Sequence, residues 1–157
     1  MLLYPSLIQR LATQHEAIEK IIAGVDHDHL LMQPQPCKWS IKDQVAHIAR
    51  YQLVFIERVK LIMKDDKPVF ERYSAEEDPE FAIWQSWDMP TLINRLYADR
   101  KLIYELVTTS SCTQSTMTGI HKKFGELTLV QWTEFFLLHE AHHLFAIFQL
   151  ANSNTSK

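Results

Sequence analysis

The sequence predicts an all-α protein, a single domain over residues 1–157 built as a four-helix bundle with long connections. Apolar residues recur at helical spacing in four long stretches, and no stretch shows the strict alternation of polar and apolar residues that is typical of a strand. Only three glycines and six prolines interrupt the 157 residues, which indicates few turns. Amphipathic helices of this kind bury their apolar stripes most simply against one another, in an antiparallel bundle.

The first helix is predicted over residues 2–24, where Leu7, Leu11 and Ile18 lie on one stripe and Gly24 can end it. Residues 26–36 then form a connection that contains two prolines.

In this connection His27 and His29 alternate with aspartates, a pattern that a metal site can also show. We interpret them as solvated turn residues, because such residues are common in short polar loops.

The second helix is predicted from Ser40 to about Lys64. Ser40 is a suitable N-cap, and Asp43 three residues later favours the positive end of the helix dipole. Its apolar stripe includes Val45, Ile48 and other residues at helical spacing, and His47 lies close enough to that stripe to face inward.

Residues 69–88 have no clean period, and their aromatic residues indicate a short segment packed over the bundle. A third long helix follows, with Pro90 in its first turn and a stripe that runs to Val107. Residues 108–118 are too polar and β-branched to continue it. We expect residues 120–126 to be a loop that leads into the last helix.

The last helix is predicted over residues 127–150, with Thr128 as a cap. His139 and His143 are four residues apart, so they project from the same face, whereas His142 is rotated by about 100° from His143. Two imidazoles on one helical face are placed to bind a transition metal, and another part of the chain would supply the third ligand.

Composition excludes several classes of protein. A net charge of −3 lacks the basic footprint of nucleic-acid binding, and no apolar run approaches the roughly 18 residues of a membrane span. The first residues do not have the pattern of a signal peptide. Cys37 and Cys112 form no CxxC motif, which predicts reduced thiols and a cytoplasmic protein. The one compositional excess is eight histidines.

Two blocks of sequence resemble the DinB/YfiT-like family of metal-dependent enzymes: Trp39-Ser40 followed by His47-Ile48, and the segment FGELTL…W…HEAHH that ends at His143. The resemblance implies a mirror variant of the up-and-down four-helix bundle. It also implies a homodimer and a small-molecule substrate.

The resemblance further implies that His47, His139 and His143 are the metal ligands and that His142 does not bind. One position departs from the family, since Ala146 stands where many relatives have glutamine and Gln149 lies almost a turn later.

A divalent metal on three histidines, most readily Zn or Ni, keeps an open position. It could activate water, as in a metal-dependent hydrolase, or bind a low-molecular-weight thiol, as in a thiol-dependent transferase. The alternative is a non-catalytic helical bundle, a binding or stress-associated module whose metal is structural or adventitious.

Three further residues are candidates for pocket or substrate contacts: Tyr51, His121 and His142. The alternatives are a core role for Tyr51 and a solvated loop position for His121. Glu140 points about 100° away from His139, and Glu134 is expected on the exposed face, so neither is assigned as a general base. No catalytic acid or base is identified from the sequence.

Overall fold

Four helical stretches form a bundle, and a small sheet lies at one end of it. The computed structural model describes residues 3–64, 67–110 and 116–153. The bounds of the helices and strands are α1 Pro5–Thr13, α2 Ala17–Ile21, α3 His27–Leu31, α4 Ile41–Lys64, β1 Val69–Phe70, α5 Phe81–Ser86, α6 Met89–Thr108, β2 Thr118–His121, β3 Gly125–Thr128 and α7 Leu129–Ala151. The prediction of an all-α four-helix bundle is confirmed, with α1 and α2 together, α4, α6 and α7 as its helices.

The first helix of the bundle is not continuous, contrary to prediction. It begins at Pro5, where the fixed φ of proline suits the first helical position, and a tighter turn over Gln14–Glu16 separates α1 from α2. At this turn Gln14 and His15 direct polar groups into the bundle, onto Glu140 and Arg100 respectively.

The connection after Gly24 also contains a helix that was not predicted. Asp26 caps α3, because its carboxylate accepts a hydrogen bond from the His29 backbone N–H at 2.9 Å. The His29 side chain lies 3.0 Å from the carbonyl oxygen of Leu150, so it contacts the end of α7.

The starts of α4 and α7 were predicted correctly, because both carry reciprocal caps. The Ser40 hydroxyl accepts from the Asp43 backbone N–H, and the Asp43 carboxylate accepts from the Ser40 backbone N–H. Thr128 and Gln131 form the same arrangement at α7. Each cap satisfies two of the backbone donors that a helix N-terminus leaves free.

The prediction of a loop over residues 120–126, in a chain without strands, is wrong. β2 and β3 form an antiparallel hairpin, and β1 pairs with β2 in parallel. Gly125 allows the turn because its φ is +77°, a left-handed conformation that glycine adopts readily. Strands of two to four residues are too short to show a period of two in the sequence.

The interior contains two apolar clusters with a polar layer between them. One cluster includes Leu11, Phe55 and Trp132, and the other includes Ile48 and Leu96. Each of the four helical stretches contributes one buried polar residue at the level between the clusters: His15, Gln52, Arg100 and Glu140. We call these four residues the polar layer.

The helices and the cysteines can also be compared with the predictions about membrane spans and thiols. None of the helices in the described part of the chain has the length and hydropathy needed to cross a membrane. Cys37 is exposed and unpaired, and Cys112 lies outside the described residues. Location in the cytoplasm stays a prediction.

Candidate metal centre

Three histidines from two helices converge on one point. His139 and His143 lie one turn apart on α7, and His47 faces them from α4. The Nε2 atom of His139 lies 3.1 Å from Nε2 of His47 and 3.2 Å from Nε2 of His143. Tetrahedral coordination with zinc–nitrogen distances of about 2.05 Å separates its ligand nitrogens by about 3.3 Å, so the cluster already has nearly the required spacing.

The limited hydrogen-bonding capacity of the three ring nitrogens favours a bound cation. Nε2 of a neutral His139 carries either one proton or one lone pair, so it forms a good hydrogen bond with only one of its two neighbours. A cation held by the three lone pairs would satisfy all three atoms. No other group of three His, Cys, Asp or Glu residues in the described ranges has comparable ligand geometry.

Burial keeps the three imidazoles in the neutral form that binds metals. Burial, together with the neighbouring His143 and His139, lowers the pKa of His47 to about 2. Burial likewise lowers the pKa of His139 to about 3 and that of His143 to about 4. At neutral pH all three rings therefore carry a free lone pair.

Different contacts orient the individual rings. The His47 ring lies against the rings of Trp39 and Tyr73, at centroid distances of 4.9 and 5.7 Å, and its Nδ1 has no hydrogen-bond partner among the described residues. His143 instead has its Nδ1 2.7 Å from Oε1 of Gln44.

The cluster opens into a cavity of about 700 Å³. Trp39 and His142 line it together with the three histidines and residues 71–77. This volume is within the range of small-molecule sites in proteins. An ion held by the three histidines would therefore keep a position open to a small molecule, as catalytic metal sites do.

Residues 71–78, which we call the strap, form one wall of this cavity. Two arginines of α4, the buried Arg58 and the half-buried Arg50, hold its ends. Arg58 donates to the carbonyl oxygen of Glu71 at 2.8 Å, and Arg50 pairs with Asp78 at 2.8 Å. The Tyr73 hydroxyl donates to the same Asp78 carboxylate at 2.9 Å, which keeps the Tyr73 ring against His47. Apart from the lack of periodicity, no pattern of residues indicated the strap.

The further candidates from the sequence lie in three different environments. His142 is exposed and lines the cavity, which agrees with its prediction as a pocket contact. Tyr51 packs its ring 4.2 Å from that of His139, but its hydroxyl accepts from Arg58 and it does not line the cavity.

His121 belongs to the hairpin and not to the cavity. It is buried, although we expected a loop residue, and its Nδ1 accepts from the backbone N–H groups of Lys123 and Phe124. Its ring lies 5.6 Å from that of Trp132. The side chain therefore closes the hairpin turn.

Neither glutamate of α7 faces the cavity. Glu140 is buried and pairs with Arg100, while Glu134 forms a two-pronged ion pair with Arg10 at 2.7 and 2.8 Å. Glu134 was expected on the exposed face; its side chain is 29% exposed, because Arg10 partly covers it. The Arg100–Glu140 pair was not predicted, although a glutamate in the apolar surroundings of α7 indicates that a cationic partner exists.

Two known proteins are similar to this chain. The chain is 25% identical over 151 residues to a protein of Oceanobacillus iheyensis named "Putative metal-dependent hydrolase", covering 95% of this chain and 85% of the relative. Its fold is similar to that of YfiT from Bacillus subtilis, described as "a probable metal-dependent hydrolase with an unusual four-helix bundle topology". That match has a TM-score of 0.77 at 18% identity and covers 93% of this chain and 84% of YfiT.

A sequence model of the DinB superfamily matches residues 10–147, nearly the whole chain. This range includes His47, His139 and His143, the three histidines that the structure brings together. The chain belongs to the DinB superfamily.

Proposed function

We propose that this protein is a metal-dependent hydrolase that acts on a small molecule, with His47, His139 and His143 as the ligands of a zinc or nickel ion. The observation that carries the proposal is the convergence of three neutral imidazoles on the wall of a cavity of about 700 Å³. The names of the O. iheyensis relative and of YfiT support the same class of reaction.

The protein's own residues bind the ion, orient the substrate and limit access of water. The three histidines supply neutral ligands, which leave the full positive charge of an ion to act on the substrate. The Trp39 and Tyr73 rings pack against His47, and Arg72 and Glu76 give the cavity wall charged groups. When bound, the ion would supply Lewis acidity and activate a nucleophile.

The nucleophile can be water or a low-molecular-weight thiol. Water makes the protein a hydrolase, and a thiol makes it a transferase. The cavity volume of about 700 Å³ is compatible with a transferase, because it can hold a thiol of peptide size. The names of the two relatives favour hydrolysis, which we therefore place first.

Turnover by protein of defined metal content tests the proposal. The tag-free protein is stripped of metal, reloaded with zinc or nickel and assayed on ester, amide and alkyl-halide substrates with and without added thiols. We expect turnover that requires the metal and is absent in His139→Ala. Turnover only with thiol would assign a transferase. No metal-dependent turnover on any substrate would favour the non-catalytic module.

We also propose that the protein is a homodimer that contacts its partner through α7. Leu138, Phe145 and Phe148 are exposed by 58%, 59% and 51% on neighbouring positions of this helix. Apolar side chains grouped on one helical face favour association with a second protein surface. This stripe also contains His142, which lines the cavity, so the partner would lie beside the mouth of the cavity.

A further inference from the structure

Gln44 connects the two helices that carry the histidine cluster. It lies three residues before His47 on α4, and residues three apart share a helical face. Its Oε1 atom is 2.7 Å from Nδ1 of His143 on α7, a short hydrogen bond between half-buried side chains. One face of α4 thus holds one histidine of the cluster and contacts a second histidine of the neighbouring helix.

The chemistry of this contact determines where the His143 proton lies. An amide oxygen can only accept, so the bond requires the proton on Nδ1 of His143. A neutral imidazole has one ring proton, and Nε2 is then left with a lone pair directed at His139. That lone pair is what a metal ligand needs.

We propose that Gln44 is a positioning residue of the metal centre: it fixes the tautomer and the ring orientation of His143 so that Nε2 is ready to bind the ion. This inference rests on the proposed metal-dependent function. Gln44 acts through His143 and does not itself contact the metal or the substrate.

His47 does not have this support. Nδ1 of His47 has no hydrogen-bond partner among the described residues, and aromatic packing orients that ring. Gln44 is also uncharged, so it orients His143 without adding negative charge beside the ion. A carboxylate at this position would make the ring a more basic ligand and reduce the effective charge of the metal.

The opposite orientation of the Gln44 amide gives the contrary prediction. If its nitrogen faced His143, Nδ1 would have to accept and the proton would move to Nε2. That proton would then point at His139, and His143 could not be a ligand without reorganisation. The tautomer of His143 in the metal-free protein therefore distinguishes the two arrangements.

Two substitutions and one control test the role of Gln44. Gln44→Met has a similar length and no acceptor oxygen, Gln44→Glu keeps the acceptor, and Gln149→Met makes the same change at an exposed position of α7. Zinc affinity is measured by competition with a chromogenic chelator. The His143 tautomer is measured by long-range proton–nitrogen correlation spectroscopy on metal-free protein labelled with ¹⁵N-histidine, and thermal unfolding checks the fold.

We expect the Nδ1–H tautomer at His143 in the wild type and a mixture of tautomers in Gln44→Met. Zinc affinity should fall by about 10- to 100-fold in Gln44→Met, the usual effect of losing such a partner. Gln44→Glu should bind zinc at least as tightly as the wild type, and Gln149→Met should match the wild type. Rescue by glutamate separates positioning from a general effect on packing.

Other results would overturn the inference. A proton on Nε2 of His143 in the wild type would contradict it, as would unchanged zinc affinity in Gln44→Met. Failure of the proposed function is separate: a wild type that binds no zinc would remove the metal site, while the tautomer measurement would still decide whether Gln44 fixes the His143 ring.

Discussion

The side chains of Arg100 and Glu140 are each about 2% exposed, and their opposite charges form an ion pair. Glu140 accepts from Arg100 and Gln14, while Arg100 also donates to Gln52 and His15. The adjacent guanidinium and burial lower the pKa of His15 to about 4, burial being the larger cause, so His15 is a neutral acceptor. The polar layer is therefore balanced in charge and in hydrogen bonds, which is the condition under which buried ions are tolerated.

Removing one charge of the polar layer should destabilise the protein far more than removing both. Glu140→Leu leaves Arg100 buried without a counter-ion, and we expect a loss of about 3–5 kcal/mol in the free energy of unfolding. Arg100→Met combined with Glu140→Leu should regain at least half of that loss, because no unpaired charge stays buried. Urea unfolding followed by circular dichroism measures both; equal instability of the single and double variants would contradict the balance described here.

At the scale of elements, the long helices follow from local sequence and the short elements do not. Ser40 and Thr128 mark the starts of α4 and α7, because a cap acts within its own turn. The hairpin has no such local signal. It is held in place by tertiary contacts, among them the hydrogen bond from Nε1 of Trp132 to the carbonyl oxygen of Gly119 at 3.2 Å.

Close packing at Gly119 explains why this position of β2 has no side chain. A Cβ atom there would lie 2.8 Å from Phe70 and 3.0 Å from Ile62, closer than carbon atoms normally approach. We expect Gly119→Ala to lower the free energy of unfolding by about 1–3 kcal/mol, the usual cost of overpacking. Thr118→Ser, which changes the adjacent, less buried position and keeps the hydroxyl that donates to Glu126, should cost no more than about 0.5 kcal/mol.

Urea unfolding distinguishes these two hairpin variants. Metal content should stay unchanged in Gly119→Ala, because the hairpin residues do not line the cavity. A Gly119→Ala variant as stable as the wild type would show that the hairpin does not pack against the bundle as described.

At the scale of the whole molecule, the candidate site was only partly predictable from the sequence. The spacing of His139 and His143 places them on one face of a helix by geometry alone. His47 is 92 positions from His139, and no local pattern connects residues so far apart. His47 was predicted as a ligand only from the resemblance to the family. The roles of Gln44 and the strap depend on tertiary contacts, so they could be identified only from the structure.

The exposed apolar stripe of α7 makes a prediction about assembly. Light scattering after size exclusion should give twice the 18.4 kDa of one chain. Phe145→Ser should shift the protein toward the monomer, because it removes an apolar side chain from the proposed interface. Phe124→Ser removes a phenylalanine of similar exposure, 52% against 59%, from the hairpin and should leave the mass unchanged. A wild-type monomer at all concentrations would contradict the homodimer.

The metal content of the purified protein tests the central claim most directly. Tag-free wild type, His47→Ala and His142→Ala are measured by mass spectrometry, with circular dichroism as a check of folding. We predict about one divalent ion per chain in the wild type and in His142→Ala, and its loss in a folded His47→Ala. A wild type without metal after incubation with several divalent ions, or a His47→Ala variant that keeps a full equivalent, would contradict a centre built across α4 and α7.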